Sequence, residues 1–557
     1  MKTVAYGLFL IFLLVGSLLL LRSIEPAPDR NASTRRLATL VGEETSALDI
    51  NHLKGASADD LFHLGVEYLQ MWRVRDATRI FERAVAADST HHGAWLELIE
   101  CYANPLLGDE AAVRRAADRA AATASAPADT MLVAGLRSLY EDQDYATAIT
   151  TLAAVARGKN APAEARYHLA RAYYRLGRLH DTSKYLDPLL KEDATIGPVA
   201  ELSIQRSVAA GQLDRAANDA RELERLYPEE AVPNVLIAQV ELARGNVPAA
   251  REFCDNALDL DPRCVPAIIT RACLYAQAGD FESARVSYEK LMLFDDVVLS
   301  SIGHEGIAFA DFLTGDFDDG VDSMDEAIRL AMQAGASRRG LALASRLVSY
   351  LCQLGRADAA EAVVERWVTG FGDIPVRLAR ARIQVMQGDF DPVNDVLTHL
   401  ATEKEWVLWS RTLSIDTTEL SALAEIGQEH QHDALARLNG ERENIAIDAD
   451  SGERHSFLVG YAAFQSGDAE TAASAFDSVR RRLYGLEFPY HGNPVLFVQS
   501  FFFRGEAELA RGAHDAAREN YATFTNYWGE AAWDLDAVSR ARQKLDALGT
   551  ASSPPQG

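Results

Sequence analysis

Arg175-Leu176-Gly177-Arg178-Leu179, Ala209-Ala210-Gly211-Gln212-Leu213, Ala243-Arg244-Gly245-Asn246-Val247 and Gln277-Ala278-Gly279-Asp280-Phe281 are one phrase written four times, with the glycines 34 residues apart. An apolar run of helical period precedes each glycine, and a second run starts a few residues after it. Glycine reaches the left-handed backbone that closes a helix at little steric cost, so each phrase predicts the bend of a helix–turn–helix unit. Small residues follow three of the bends, Ala216 with Ala217, Ala249 with Ala250, and Ser283 with Ala284. They let the two helices of a unit approach closely. Tyr227-Pro228 and Asp261-Pro262 then stop two of the second helices, because proline bars the residue before it from helical geometry. A fixed period of about 34 residues belongs to a stacked array in which each unit packs only on its neighbours.

The same positions recur on either side. The unit 58–91 carries Leu61, Leu64-Gly65, Tyr68, Ala77, Phe81 and Ala84, with Ser89 in place of a terminal proline. The unit 265–298 carries Ala272, Tyr275, Gly279, Ala284 and Tyr288. The unit 231–264 carries Ala238, Gly245, Ala250, Ala257 and Pro262, with Cys254 at the aromatic position. In this pattern the chain resembles the tetratricopeptide repeat family. The resemblance implies an all-α fold, a right-handed superhelix of helix–turn–helix pairs. Turn-like positions continue at Trp72, Gly108 and Gln143 before the regular core, and at Gly315, Gly355, Gly388, Gly427, Gly467 and Gly512 after it. Spacings after Gly279 are 36, 40, 33, 39, 40 and 45, so the second half carries longer connections. About a dozen helix pairs then fill residues 47–545. The closing stretch Pro494–Tyr527 is similar to the last repeats of long bacterial modules of this family, which are often fused to kinase or transcription-regulator domains. Here the apolar run Val4–Leu21 stands in place of such a domain.

That run is eighteen residues without a charge. At about 1.5 Å rise per residue it nearly spans a hydrocarbon core. It ends Leu18-Leu19-Leu20-Leu21-Arg22, with no small-x-small cleavage site. Residues 1–22 are expected to be an uncleaved transmembrane anchor; a cleaved signal peptide and a buried helix are the alternatives. Arg22, Arg30, Arg35 and Arg36 follow the run and Lys2 precedes it, so the two sides compete for the cytoplasm. The expectation is a bacterial-type inner membrane with the array outside the cytoplasm. Residues 23–46 read as a polar linker, 47–298 as an N-terminal sub-array and 299–548 as a C-terminal one ending in a capping helix, Asp534–Leu548. Residues 549–557 read as a disordered tail. Joints are expected at Val298–Glu305 and His399–Ser414.

The chain holds 81 Asp and Glu against 55 Lys and Arg, a formal charge of −26. That balance argues against nucleic acid, which needs clustered cations on one face. It fits either the solvated faces of many helices or an acidic surface for a basic partner. Five cysteines show no paired or zinc-type spacing and read as buried free thiols. No phosphate-cradling glycine loop, nucleophile elbow or His-Glu-x-x-His pair occurs. His430 and His432 lie two apart, which on a helix turns them to different sides. No enzyme activity, cofactor or metal site is expected.

In the family, positions 2, 5, 9, 12 and 13 of each unit line the concave groove. The resemblance therefore implies Glu164, Tyr167, Arg171, Tyr174 and Arg175 for the unit 163–196, and Glu201 and Gln205 for 197–230. For 231–264 it implies Val232, Val235, Gln239, Leu242 and Ala243, and for 265–298 Ile269, Cys273 and Gln277. Arg171 and Arg175 can hold a carboxylate or simply face solvent. The apolar middle either takes an extended peptide or is closed by tight coiling. The expected function is a membrane-anchored scaffold that binds a protein or extended segment in its groove. Alternatives are a structural accessory subunit of an envelope assembly or secretion complex, and a regulatory partner of a separately encoded kinase.

Overall fold

A computed structural model describes residues 56–157, 161–192, 197–413, 415, 417–440, 449–480 and 492–550. The anchor expected over 1–22, the linker 23–46 and residues 551–557 of the tail lie outside these residues. No helix among the described residues is long and apolar enough to cross a membrane.

Every described element is helical. The regular array begins with α1 (Ala58–Gln70) and α2 (Val74–Ala87), then α3 (His92–Ala103) and α4 (Glu110–Thr123), then α5 (Pro127–Leu136) and α6 (Tyr145–Ala156). It continues with α7 (Ala163–Arg175) and α8 (Leu179–Glu192), α9 (Gly197–Ala209) and α10 (Leu213–Leu226), α11 (Ala231–Ala243) and α12 (Val247–Leu260), and α13 (Val265–Gln277) and α14 (Phe281–Met292). The later pairs are α15 (Val297–Thr314) with α16 (Phe317–Gln333), α17 (Ser337–Gln353) with α18 (Ala357–Val363), and α19 (Asp373–Met386) with α20 (Asp391–Thr402). A single helix α21 (Lys404–Thr412) is interposed. Then come α22 (Thr417–Gly427) with α23 (Gln431–Gly440), α24 (Ala449–Gln465) with α25 (Ala469–Arg480), α26 (Pro494–Ala510) with α27 (His514–Trp528), and the cap α28 (Asp536–Thr550). The result is an all-α, right-handed tetratricopeptide-like solenoid.

The bends are built as the repeated phrase requires. Gly177, Gly211, Gly245 and Gly279 have φ between +71° and +78°. At Trp72 and Gln143 the same left-handed turn is made by residues with side chains, with φ +59° and +53°. Gly427 is a correction. It ends α22 in helical geometry, under the Phe390 ring, where a Cβ would stand 2.4 Å from Cζ; the left-handed residue there is Glu429, φ +65°. Within pairs, a glycine of the first helix often makes room for an aromatic ring of the second. Gly65 lies under Phe81 and Gly505 under Tyr521, with Cβ positions 2.5 and 2.7 Å from ring atoms, and Gly306 of α15 lies under Tyr288 of the preceding pair, at 2.1 Å. Longer spacings after Gly279 have physical causes. Helices α15 to α17 lengthen to 17 or 18 residues, and α21 is an insertion whose Trp406 is buried.

Successive superhelical turns touch. Arg73 reaches Glu230 at 2.8 Å, Arg75 reaches Asp296 at 2.6 Å, and Lys404 reaches Asp144 at 2.7 Å. The backbone N–H of Arg338, at the start of α17, donates to Glu110 at 2.6 Å across 228 residues. That separation is about seven units. Further on, Trp528 donates Nε1–H to the Phe312 carbonyl at 3.1 Å, tying α27 to α15.

Candidate functional site

The first helices of successive pairs bring their inner-facing side chains together. From α3 come Glu97 and Glu100; from the end of the α5 segment, Tyr140; from α7, Glu164, Tyr167, His168 and Arg171; from α9, Glu201 and Gln205. Arg171 donates to Glu100 at 2.5 Å and to the Tyr140 hydroxyl at 3.2 Å, and its guanidinium sits 5.4 Å from the Tyr140 ring centre. Tyr167 donates weakly to Glu100 at 3.4 Å. Tyr140 and the Nδ1 of His168 share a hydrogen bond of 2.9 Å. On α9, Glu201 accepts from the Trp72 indole at 2.6 Å and from Gln205 at 3.1 Å.

Electrostatics on this face is one-sided. Glu100 is bonded to Arg171, and Glu201 lies within reach of the same charge. Among the described residues Glu97 and Glu164 have no hydrogen-bond or ion-pair partner. Burial, and then the Glu100 charge, push the Glu164 carboxyl up to about 7. Burial, followed by Glu164 and Glu100, holds the Glu97 carboxyl well above the usual carboxylate range. Desolvation also raises Glu201. Burial pushes His168 down to about 4, so it is neutral near pH 7 and anchors Tyr140 rather than carrying charge. A face that leaves two carboxylates uncompensated favours a cation brought from outside.

The residues implied by position in the repeat fall into two groups. Glu164, Tyr167, Arg171, Arg175, Glu201, Gln205 and Gln239 are half-buried on or beside this face, and Gln277 is exposed at the end of α13. Tyr174, Val235 and Ile269 are buried in cores between helices. Val235, Leu242, Ile269 and Cys273 form one apolar cluster, and Leu106 from the α3–α4 connection packs against it. The apolar middle is thus covered by the next turn of the coil, and Arg75 holds that cover by donating to the Leu106 carbonyl at 2.9 Å. Sequence reasoning missed Trp72, Glu97, Glu100 and Tyr140 as contributors. Glu100 was within reach: counting from residue 92 it occupies position 9, the position of Arg171 in its own unit.

All five cysteines are buried as free thiols. Burial pushes Cys254, Cys264, Cys273 and Cys352 up to about 12, which leaves them protonated and unreactive near neutrality.

The tetratricopeptide repeat family model matches residues 134–181 and 205–263, across the regular core. Over these two stretches the chain is similar to the tetratricopeptide repeat family. A search of curated proteins found no significant match. Among solved structures the protein is similar to PilW, described as a widely conserved type IV pilus biogenesis factor. Identity is 19%, over 38% of this chain and 96% of that one, with a TM-score of 0.28. It is also similar to yeast Tom70, at 15% identity over 82% and 96% of the two chains and a TM-score of 0.35. A third similar structure is the Cut9–Hcn1 hetero-tetramer of the APC/C, at 11% identity over 90% and 98% and a TM-score of 0.28.

Proposed function

We propose that this protein is a non-catalytic scaffold, tethered to a membrane by residues 4–21, whose inner face takes up an extended segment of another protein bearing lysine or arginine. One observation carries the reading. Glu97 and Glu164 face the same space as Glu100 and Glu201 without enough cations to neutralise them. Tyr140 and Tyr167 lie beside them, with their hydroxyls bonded to Arg171 and Glu100. The apolar middle, being covered, contributes rigidity rather than contact.

The test uses the full chain and a fluorescent peptide of alternating lysine and alanine, followed by anisotropy. Binding is expected near pH 8 and weaker near pH 6, where the Glu164 carboxyl holds a proton. Glu97→Gln with Glu164→Gln should abolish it. Neutralising the exposed Glu222 and Glu229 should not. Equal loss from both pairs would mean diffuse attraction to an acidic protein and would sink the reading. The anchor is tested separately, by labelling a single added cysteine in the 549–557 tail of intact cells with an impermeant thiol reagent. Labelling before lysis places the array outside the cytoplasm; release of the protein by alkaline carbonate would contradict the anchor.

A further inference from the structure

Trp72 stands at the bend between α1 and α2, where most later repeats have glycine, and it holds the glycine conformation. The Cβ of a bulky residue is crowded in the left-handed region, so contacts beyond the bend must hold it there. The indole supplies them. It crosses to the fifth repeat and donates Nε1–H to Glu201 at 2.6 Å, 129 residues away. Its ring meets Tyr227 edge-on, with centres 5.6 Å apart. It also lies against Gly197, the first residue of α9. A Cβ there would come within 2.9 Å of the indole Cζ2 and Cη2 and within 2.2 Å of the Gln70 carbonyl oxygen. A crowded tryptophan and a residue without a side chain therefore fit each other across the coil.

The rest of this seam differs in kind. It includes the ion pairs Arg73–Glu230 and Arg75–Asp296, the Glu110 contact to the Arg338 backbone, and Leu106 packed on the Val235 cluster. Partly exposed ion pairs are weak and are screened by salt. Trp72 in the Gly197 notch is the one tie here that combines ring packing with a hydrogen bond.

We infer that Trp72 is a pin that closes the first superhelical turn: docked in the Gly197 notch, it keeps the first repeat against the fifth and narrows the entrance to the inner face. While docked, it also holds Glu201 on an internal donor. Release takes that donor from Glu201 and leaves the ion pairs and the Leu106 packing to keep the turn closed. The device belongs to the free protein and is measurable with nothing bound, so it stands or falls apart from the proposed binding of a basic segment.

The experiment is a pulsed electron–electron distance measurement on the full chain. Spin labels are placed at Ala86→Cys on α2 and Glu222→Cys on α10, both exposed; the native cysteines are buried. The otherwise unchanged protein should give one narrow distance, insensitive to salt. Trp72→Gly should lengthen and broaden it, further at high salt, without loss of helicity, because glycine is the residue that the bend favours. Gly197→Leu should open the turn from the other side with Trp72 intact, and it decides the matter if Trp72→Gly does not fold. A narrow, unchanged distance in Gly197→Leu, or in a folded Trp72→Gly, at both salt concentrations would overturn the inference.

Discussion

Replacing Glu164 by glutamine should make the protein less sensitive to alkali. In the fold its carboxyl is pushed from 4.5 up to about 7, first by burial and then by the Glu100 charge. Between those values the folded chain holds a proton that the unfolded chain has lost. Stability from this carboxyl is therefore complete below 4.5 and is lost as pH climbs through about 7. Each pKa unit corresponds to about 1.4 kcal/mol, so the loss is on the order of 3 kcal/mol by pH 8. Glutamine keeps the shape and cannot ionise, and it relieves Glu97 of its nearest like charge. Relative to the parent, Glu164→Gln should be nearly neutral near pH 4.5 and more stable by roughly 2–4 kcal/mol near pH 8. Repeat arrays need not unfold in one step, so hydrogen exchange resolved over α3 and α7 is the primary assay, with thermal melts beside it. For a cooperative block of about 200 residues the melt should rise by several degrees at the higher pH. Stability curves of parent and variant that run parallel from pH 4.5 to 8 would refute the claim that an ionised Glu164 is strained in this face.

Glu305 on α15 lies between Arg339 and Arg346 of α17, with its side chain 2% exposed. Glu305→Gln would remove the anion that two enclosed guanidiniums share and should destabilise by about 3–5 kcal/mol in urea titrations. Two glycines should separate space from conformation. Gly306→Ala places a Cβ 2.1 Å from the Tyr288 ring and should cost about 1–3 kcal/mol by overpacking. Gly211→Ala meets nothing within 4 Å but sits at φ +71°, and should cost about 1 kcal/mol from backbone conformation alone. Calorimetry showing the reverse order would mean that the α14–α15 packing relaxes freely.

The fold was legible because its information is local. A glycine every 34 residues, small residues after the bend and proline at the end each act within one unit. Nearest-neighbour packing then propagates the result. Trp72 and Gln143 were readable as bends for the same reason, their place in the period outweighing their side chains. Gly427 misled because the glycine there serves a ring, Phe390, rather than a turn. The candidate site was half legible. Position in the repeat places Glu164, Arg171 and Glu201 on the inner face, yet it is blind to which of them meet.

Those meetings depend on the small rotation from one unit to the next, summed over about four to seven units. No single repeat encodes that sum. It brings Leu106 over the apolar cluster of Val235 and Ile269, the Trp72 indole to Glu201, and Glu110 to the start of α17. The sequence by itself determined the unit, the period and the acidic character of the chain. Only the tertiary structure decided that turns of the coil touch one another and which inner-face residues meet, because contacts across turns depend on accumulated geometry rather than on any local phrase.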